Sequence, residues 1–102
     1  MEGSQAGSTR REDVFTRARD GKVDDALILA QEEDVQFLLE RSKNLIDGGE
    51  YRSAGNVFEL VTRLNPGHSV GWFMRGAAAG MQGAHADALS YFEKALEMNP
   101  EF

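Results

Sequence analysis

Laid over one another without a gap, residues 35–68 and 69–102 agree at seven positions, all at one offset of 34 residues. The pairs are Arg41 with Arg75, Gly49 with Gly83, Ala54 with Ala88, Phe58 with Phe92, Glu59 with Glu93, Asn65 with Asn99 and Pro66 with Pro100. Repetition at that period marks a fold of stacked helical hairpins, because one hairpin cannot bury its apolar face alone and needs its neighbour. No run alternates with period two, so strands are not expected. The chain reads as all-α.

Its punctuation locates the helices. Thr9-Arg10-Arg11-Glu12 fits a capping box, in which the Thr9 hydroxyl accepts from the third helical N–H and Glu12 reaches back. The helix that follows ends near Asp20-Gly21. Val23, Ala26, Leu27 and Ala30 then recur at helical spacing, with Ile28 and Leu29 widening the buried face. No Gly or Pro interrupts Lys22 to Asp47, so one long helix or two shorter ones fit there. A break at Gln31 to Asp34 is preferred, since three consecutive acids suit the positive end of a following helix. Gly48-Gly49, Asn65-Pro66-Gly67, Gln82-Gly83 and Asn99-Pro100 close the later helices. Residues 1–8, rich in Gly, Ser and Gln, read as a mobile tail.

Trp72, Gly76, Gly83, Ala88, Phe92, Ala95 and Pro100 together resemble the tetratricopeptide repeat family. Leu38, Ser42, Leu45, Gly49, Ala54, Phe58, Val61 and Pro66 form a weaker copy. The resemblance divides the chain into a tail at 1–8, a degenerate hairpin at 9–34 and repeats at 35–68 and 69–102. It implies antiparallel hairpins stacked as a short right-handed superhelix of about two and a half repeats. An N-terminal helix that packs differently, or swaps onto another molecule, is the alternative for 9–34. Arg41 and Arg75 replace the family's Leu, and Leu45 and Ala79 its Tyr.

In that family the first helices of successive hairpins line a concave groove, which assigns to it Leu39, Lys43, Ile46, Phe73, Ala77, Gly80 and Met81. The resemblance therefore implies an apolar groove with a shallow floor at Ala77 and Gly80, walled by Phe73 and Met81, for a partner's apolar peptide or amphipathic helix. Members that grip chaperone C-terminal carboxylates use Lys, Asn and Arg there. The matching positions here hold Leu39, Glu40, Lys43, Val70 and Met74, so that activity is not expected. Gly76 is expected where the two helices of the last hairpin cross, its missing Cβ allowing close approach.

Leu89, Phe92, Leu96 and Met98 form a second apolar face with no following helix in the sequence, expected to meet another chain or the rest of a longer array. Homodimerisation through it is the alternative function. Seventeen acidic against eleven basic residues give a net charge of −6, which disfavours a nucleic-acid partner. The one basic cluster, Arg10, Arg11, Arg17 and Arg19, reads as a solvated helix face. No stretch approaches the roughly 18 apolar residues of a membrane span. The lack of cysteine suits a reducing, cytoplasmic setting. His68 and His85 read as solvated turn residues, and Asp24-Asp25 and Glu32-Glu33-Asp34 as solvated acids. With no convergent acid, base, nucleophile or metal-ligand set, neither enzyme activity nor a cofactor or metal is expected.

Overall fold

The computed structural model describes residues 9–102, and the tail expected at Met1–Ser8 lies outside them. Six helices follow one another: α1 (Arg10–Arg19), α2 (Val23–Leu29), α3 (Val35–Asp47), α4 (Tyr51–Leu64), α5 (Ser69–Met81) and α6 (His85–Met98). A 3₁₀ turn at Glu32–Asp34 separates α2 from α3, so Lys22 to Asp47 is two helices with the break at the acids. Among the described residues there is no strand. Each helix packs on the next within a hairpin, and α4 also touches α1, α2 and α5. The array is elongated, 48 × 25 × 21 Å.

The three hairpins turn in the same way. Gly21, Gly49 and Gly83 take positive φ of 90°, 76° and 83°. At each, the glycine N–H and the next N–H close back onto the final helical carbonyls: Gly49 to Ile46 and Glu50 to Leu45, for example, at 3.0 and 2.8 Å. Gly21 and Gly83 repeat both bonds. The first hairpin differs in its second helix, which is 7 residues in α2 and 14 in both α4 and α6. Asn65 and Asn99 also do equivalent work, each side chain accepting from the N–H two residues on. The Trp72 indole donates to the Pro66 carbonyl at 2.7 Å and so fastens α5 to the turn before it.

Close approach inside the last hairpin rests on Gly76. A Cβ built there would stand 2.7 Å from the Phe92 ring and 3.2 Å from the Ala88 carbonyl oxygen. The Phe92 ring thus occupies the volume a side chain would take. At Gly80 the same Cβ would meet only the Ala88 Cβ, at 3.7 Å, an ordinary contact. Ser42, the counterpart of Gly76 in the preceding repeat, is buried and donates to the Leu39 carbonyl.

What ends α2 and starts α3 is Asp34, a carboxylate with no exposed side-chain surface. It accepts from Arg10 through both oxygens, from Arg11 Nε at 2.8 Å and from the Gln31 N–H at 2.8 Å. Four expectations are corrected here. Asp34 is buried rather than solvated, because two guanidinium groups and a backbone N–H replace its water. Within the arginine cluster, Arg10 and Arg11 are turned onto this buried acid, while Arg17 beside Asp13 and Arg19 beside Asp20 stay on the solvated face. Glu12 does not close the capping box either: Thr9 accepts from its N–H, but its carboxylate takes the Arg41 guanidinium. Ile28, expected on the buried face of α2, is 82% exposed, since the short α2 offers only Val23 and Ala26 fully to the core.

The two arginines that replace leucine lie on aromatic rings. Arg41 stands 4.5 Å from the Phe15 ring and 5.5 Å from Phe37, and Arg75 stands 4.3 Å from Tyr91 and 5.4 Å from Trp72. The same guanidinium groups reach the preceding hairpin, Arg41 to Glu12 and Arg75 to the Thr62 hydroxyl.

Two outcomes follow for stability. Gly76→Ala should cost about 1–3 kcal/mol in urea unfolding, because the clash with Phe92 outweighs the helix-propensity gain. Gly80→Ala should gain up to about 1 kcal/mol. Equal effects would mean that Phe92 yields freely. The second outcome concerns acid. Hydrogen bonding by Arg10 above all, then the Gln31 N–H and Arg11, overcomes burial and holds the Asp34 carboxyl well below the usual carboxylate range, at about 2. A depressed carboxylate contributes stability that is full above its unfolded-state value and fades as pH falls towards the folded one. Asp34→Asn should therefore flatten the loss of stability between about pH 4 and pH 2, read from thermal melts across that window.

Candidate functional site

A cleft of about 460 Å³ lies between α3 and α5 with Phe58 of α4 in its floor. Leu39 and Ile46 come from one face of α3, two turns apart, and Val70 and Met74 from α5 at i and i+4. Gln36, Lys43, Asp47 and His68 edge it. The cleft is apolar at depth and polar around its mouth, with both signs of charge present. Phe58 is 1% exposed, so one side chain serves both core and cleft floor.

His68 has a structural task at this mouth. Its Nδ1 accepts the Gly71 N–H at 2.9 Å and so caps α5, which puts the proton of the neutral ring on Nε2. The residue is partly buried, in contrast to the solvated turn role expected for it. At Gly71 a Cβ would come within 2.9 Å of Val61 Cγ1, so the start of α5 lies directly on α4. That seating aims Val70 and Met74 at α3.

Of the residues expected in the groove, the cleft contains Leu39, Lys43 and Ile46. Phe73 is carried to the other side of α5, where its ring meets those of Phe92 and Phe102 in tilted pairs, with centroids 5.4 and 5.0 Å apart. Gly80 faces Ala88 of α6, Ala77 is half-buried, and Met81 is exposed at the end of the helix. The α3 and α5 halves of the expected set therefore do not meet in one cleft. Val70 and Met74, considered from sequence only as poor carboxylate-clamp positions, supply the α5 wall instead. Their i, i+4 spacing was the available signal. It was masked because Val70, Trp72, Phe73 and Met74 give the start of α5 bulky apolar side chains on several faces at once.

A second, smaller cleft of about 210 Å³ is lined by Phe73, Phe92, Ala95, Leu96 and Phe102. Three of these, Phe73, Phe92 and Phe102, stand one repeat after Leu39, Phe58 and His68 of the first cleft. It is the same slot without a covering helix among the described residues. Leu89, Leu96 and Met98 of the second expected face are exposed, while Phe92 is only partly so.

Among the described residues no group of three His, Asp or Glu side chains gathers as a metal site, and no helix is long and apolar enough to cross a membrane. No curated protein resembles the chain closely enough to count as a relative. The tetratricopeptide repeat family model matches residues 69–102, the α5–α6 hairpin with its flanking turns. Trp72 and Gly76 on α5, Ala88, Phe92 and Ala95 on the antiparallel α6 that crosses it at Gly76, and Gly83 and Pro100 in the turns that close the two helices make this segment similar to a tetratricopeptide repeat.

Proposed function

We propose that the chain is a non-catalytic interaction module that binds an apolar peptide or amphipathic helix in the cleft between α3 and α5. Tetratricopeptide repeats in general mediate protein–protein contacts and are non-catalytic, which supplies the coarse part of this reading. The observation that carries the finer part is the cleft itself, open to solvent and walled by Leu39, Ile46, Phe58, Val70 and Met74. A bulky apolar side chain entering it would leave water for a wall of similar chemistry, worth roughly 1.5–3 kcal/mol. Lys43, Asp47 and Gln36 would then meet the partner's polar groups at the rim. Freedom from cysteine suits action in a reducing compartment, and we assign the module to the cytoplasm.

Self-association is the second reading, favoured by one observation: Leu89, Leu96 and Met98 are 60%, 50% and 42% exposed on one end of the array. Scattered apolar residues are common on surfaces, but here they flank a formed cleft.

The test is selection of binders to the full chain from a random peptide library. Selected peptides should share a bulky apolar residue, and Leu39→Glu or Met74→Glu should weaken them by about 100-fold, as expected when a charge replaces a desolvated contact. Binders insensitive to both substitutions would sink the cleft assignment.

A further inference from the structure

Of the residues that open α5, His68 and Ser69 are partly exposed and Val70 is exposed, but Gly71 is buried. Its N–H has no helical carbonyl to meet and depends on a protein acceptor, which is the His68 Nδ1 lone pair at 2.9 Å. The surroundings are tight. A Cβ on Gly71 would stand 2.9 Å from Val61 Cγ1, 3.3 Å from His68 Nδ1 and 3.4 Å from Thr62 Cγ2. Residues on either side of this glycine, Val70 and Met74, form the α5 wall of the cleft, and His68 edges the same cleft.

A proton removes this acceptor. Neutral imidazole with its hydrogen on Nε2 accepts at Nδ1, whereas imidazolium donates from both nitrogens. Protonation would therefore set N–H against N–H and put a full positive charge at the positive end of the α5 dipole. Both effects have one sign: the ring leaves the cap, and the buried Gly71 N–H loses its partner. Histidine ordinarily takes up its proton at about pH 6.5 and carboxylates at about pH 4, so mild acid addresses the histidine. Asp34, held at about 2, keeps its charge there.

The other charges around the cleft do not replace the cap. Helix α3 presents Lys43 and Asp47, while α4 contributes only Phe58 to the lining and α5 only Val70 and Met74. Lys43 opposes a cationic ring, and Asp47 is an acceptor for that ring once it has left Gly71. Arg63 of α4 is turned to Asp24 and Glu59, and Arg75 of α5 to Thr62.

We propose that His68 is a proton-operated latch on the α3–α5 cleft. Neutral, it holds the first turn of α5 so that Val70 and Met74 wall the cleft; protonated, it releases Gly71, the wall loosens, and the cleft gives up its ligand in mild acid. The binding half of this proposal rests on the function proposed above for the same cleft.

The test is NMR of the full chain between about pH 7.5 and about pH 5.5, following the His68 ring, the Gly71 amide and the Met74 methyl group. All three should titrate with one midpoint. In His68→Asn, whose side-chain oxygen caps a helix at either pH, the Gly71 and Met74 signals should stand still while the exposed His85 titrates as before. A peptide selected at the higher pH, free of histidine and displaced by Leu39→Glu, should bind about threefold or more weakly at the lower pH. His68→Asn should remove that difference. A His68 ring that titrates while Gly71 and Met74 do not, or a Met74 shift that persists in His68→Asn, would overturn the proposal, as would a peptide equally pH-sensitive in both proteins. Should no selected peptide be displaced by Leu39→Glu, the cleft reading fails by itself, and the ligand-free spectra still decide the latch. Far-UV circular dichroism checks that His68→Asn keeps its helicity; if it does not, the shared midpoint of the three signals in the unsubstituted chain decides.

Discussion

Helix α4 is the element on which the rest of the fold depends. It buries Ala54, Val57, Phe58, Leu60, Val61 and Thr62, more than one face of a helix, because α1 and α2 lie on one side and α3 and α5 on others. A helix so enclosed has no slack: residues in an interior packed like a crystal transmit any change of volume to their neighbours. Phe58 makes the consequence concrete. It is a core residue and the floor of the α3–α5 cleft, so the shape of the candidate site is set by the packing that holds the array together.

The joints between hairpins use polar chemistry laid over this apolar frame. Asp34 ties α1 to the start of α3, Arg41 ties α3 back to α1, and Arg75 ties α5 back to α4. The guanidinium groups remain partly exposed, so the ion pairs themselves add modest stability. Their larger effect is geometric. Arg41 and Arg75 each fix a guanidinium group on the preceding hairpin, and the rings of Phe15 and Phe37 or of Trp72 and Tyr91 hold that same group in place. Asp34 likewise marks where α2 stops, since its carboxylate takes the Gln31 N–H that a continuous helix would have bonded to the Leu27 carbonyl.

One slot, formed twice, gives the molecule its two surfaces. Between α3 and α5 it is walled on both sides and narrowed to a cleft for a side chain. Beyond α5 it is walled on one side by Phe73, Phe92 and Leu96, with Phe102 partly folded over it. The same repeat position thus yields a two-walled cleft where the next helix is present and a more open apolar face where, among the described residues, none covers it. Leu89 in place of Gly55, and Leu96 in place of Thr62, make the second surface more apolar than the first receiving surface.

The sequence by itself determined the hairpins. The offset of 34, the glycines at 21, 49 and 83 and the Asn-Pro turns are local signals, each fixed by a backbone conformation that few residues can adopt. The acids at Glu32–Asp34 marked the break between α2 and α3 for an electrostatic reason that was correct in place and incomplete in cause. Only the tertiary structure decided which face of α5 meets α3. Bulky side chains point to several faces of that helix, so periodicity could not separate Val70 and Met74 from Phe73, and the choice was made by Gly71 seating on Val61 and by Phe92 filling the space beside Gly76. It also decided that Asp34 is buried with Arg10 and Arg11 upon it, because these partners lie 24 and 23 residues away along the chain and are brought together only when the hairpins stack.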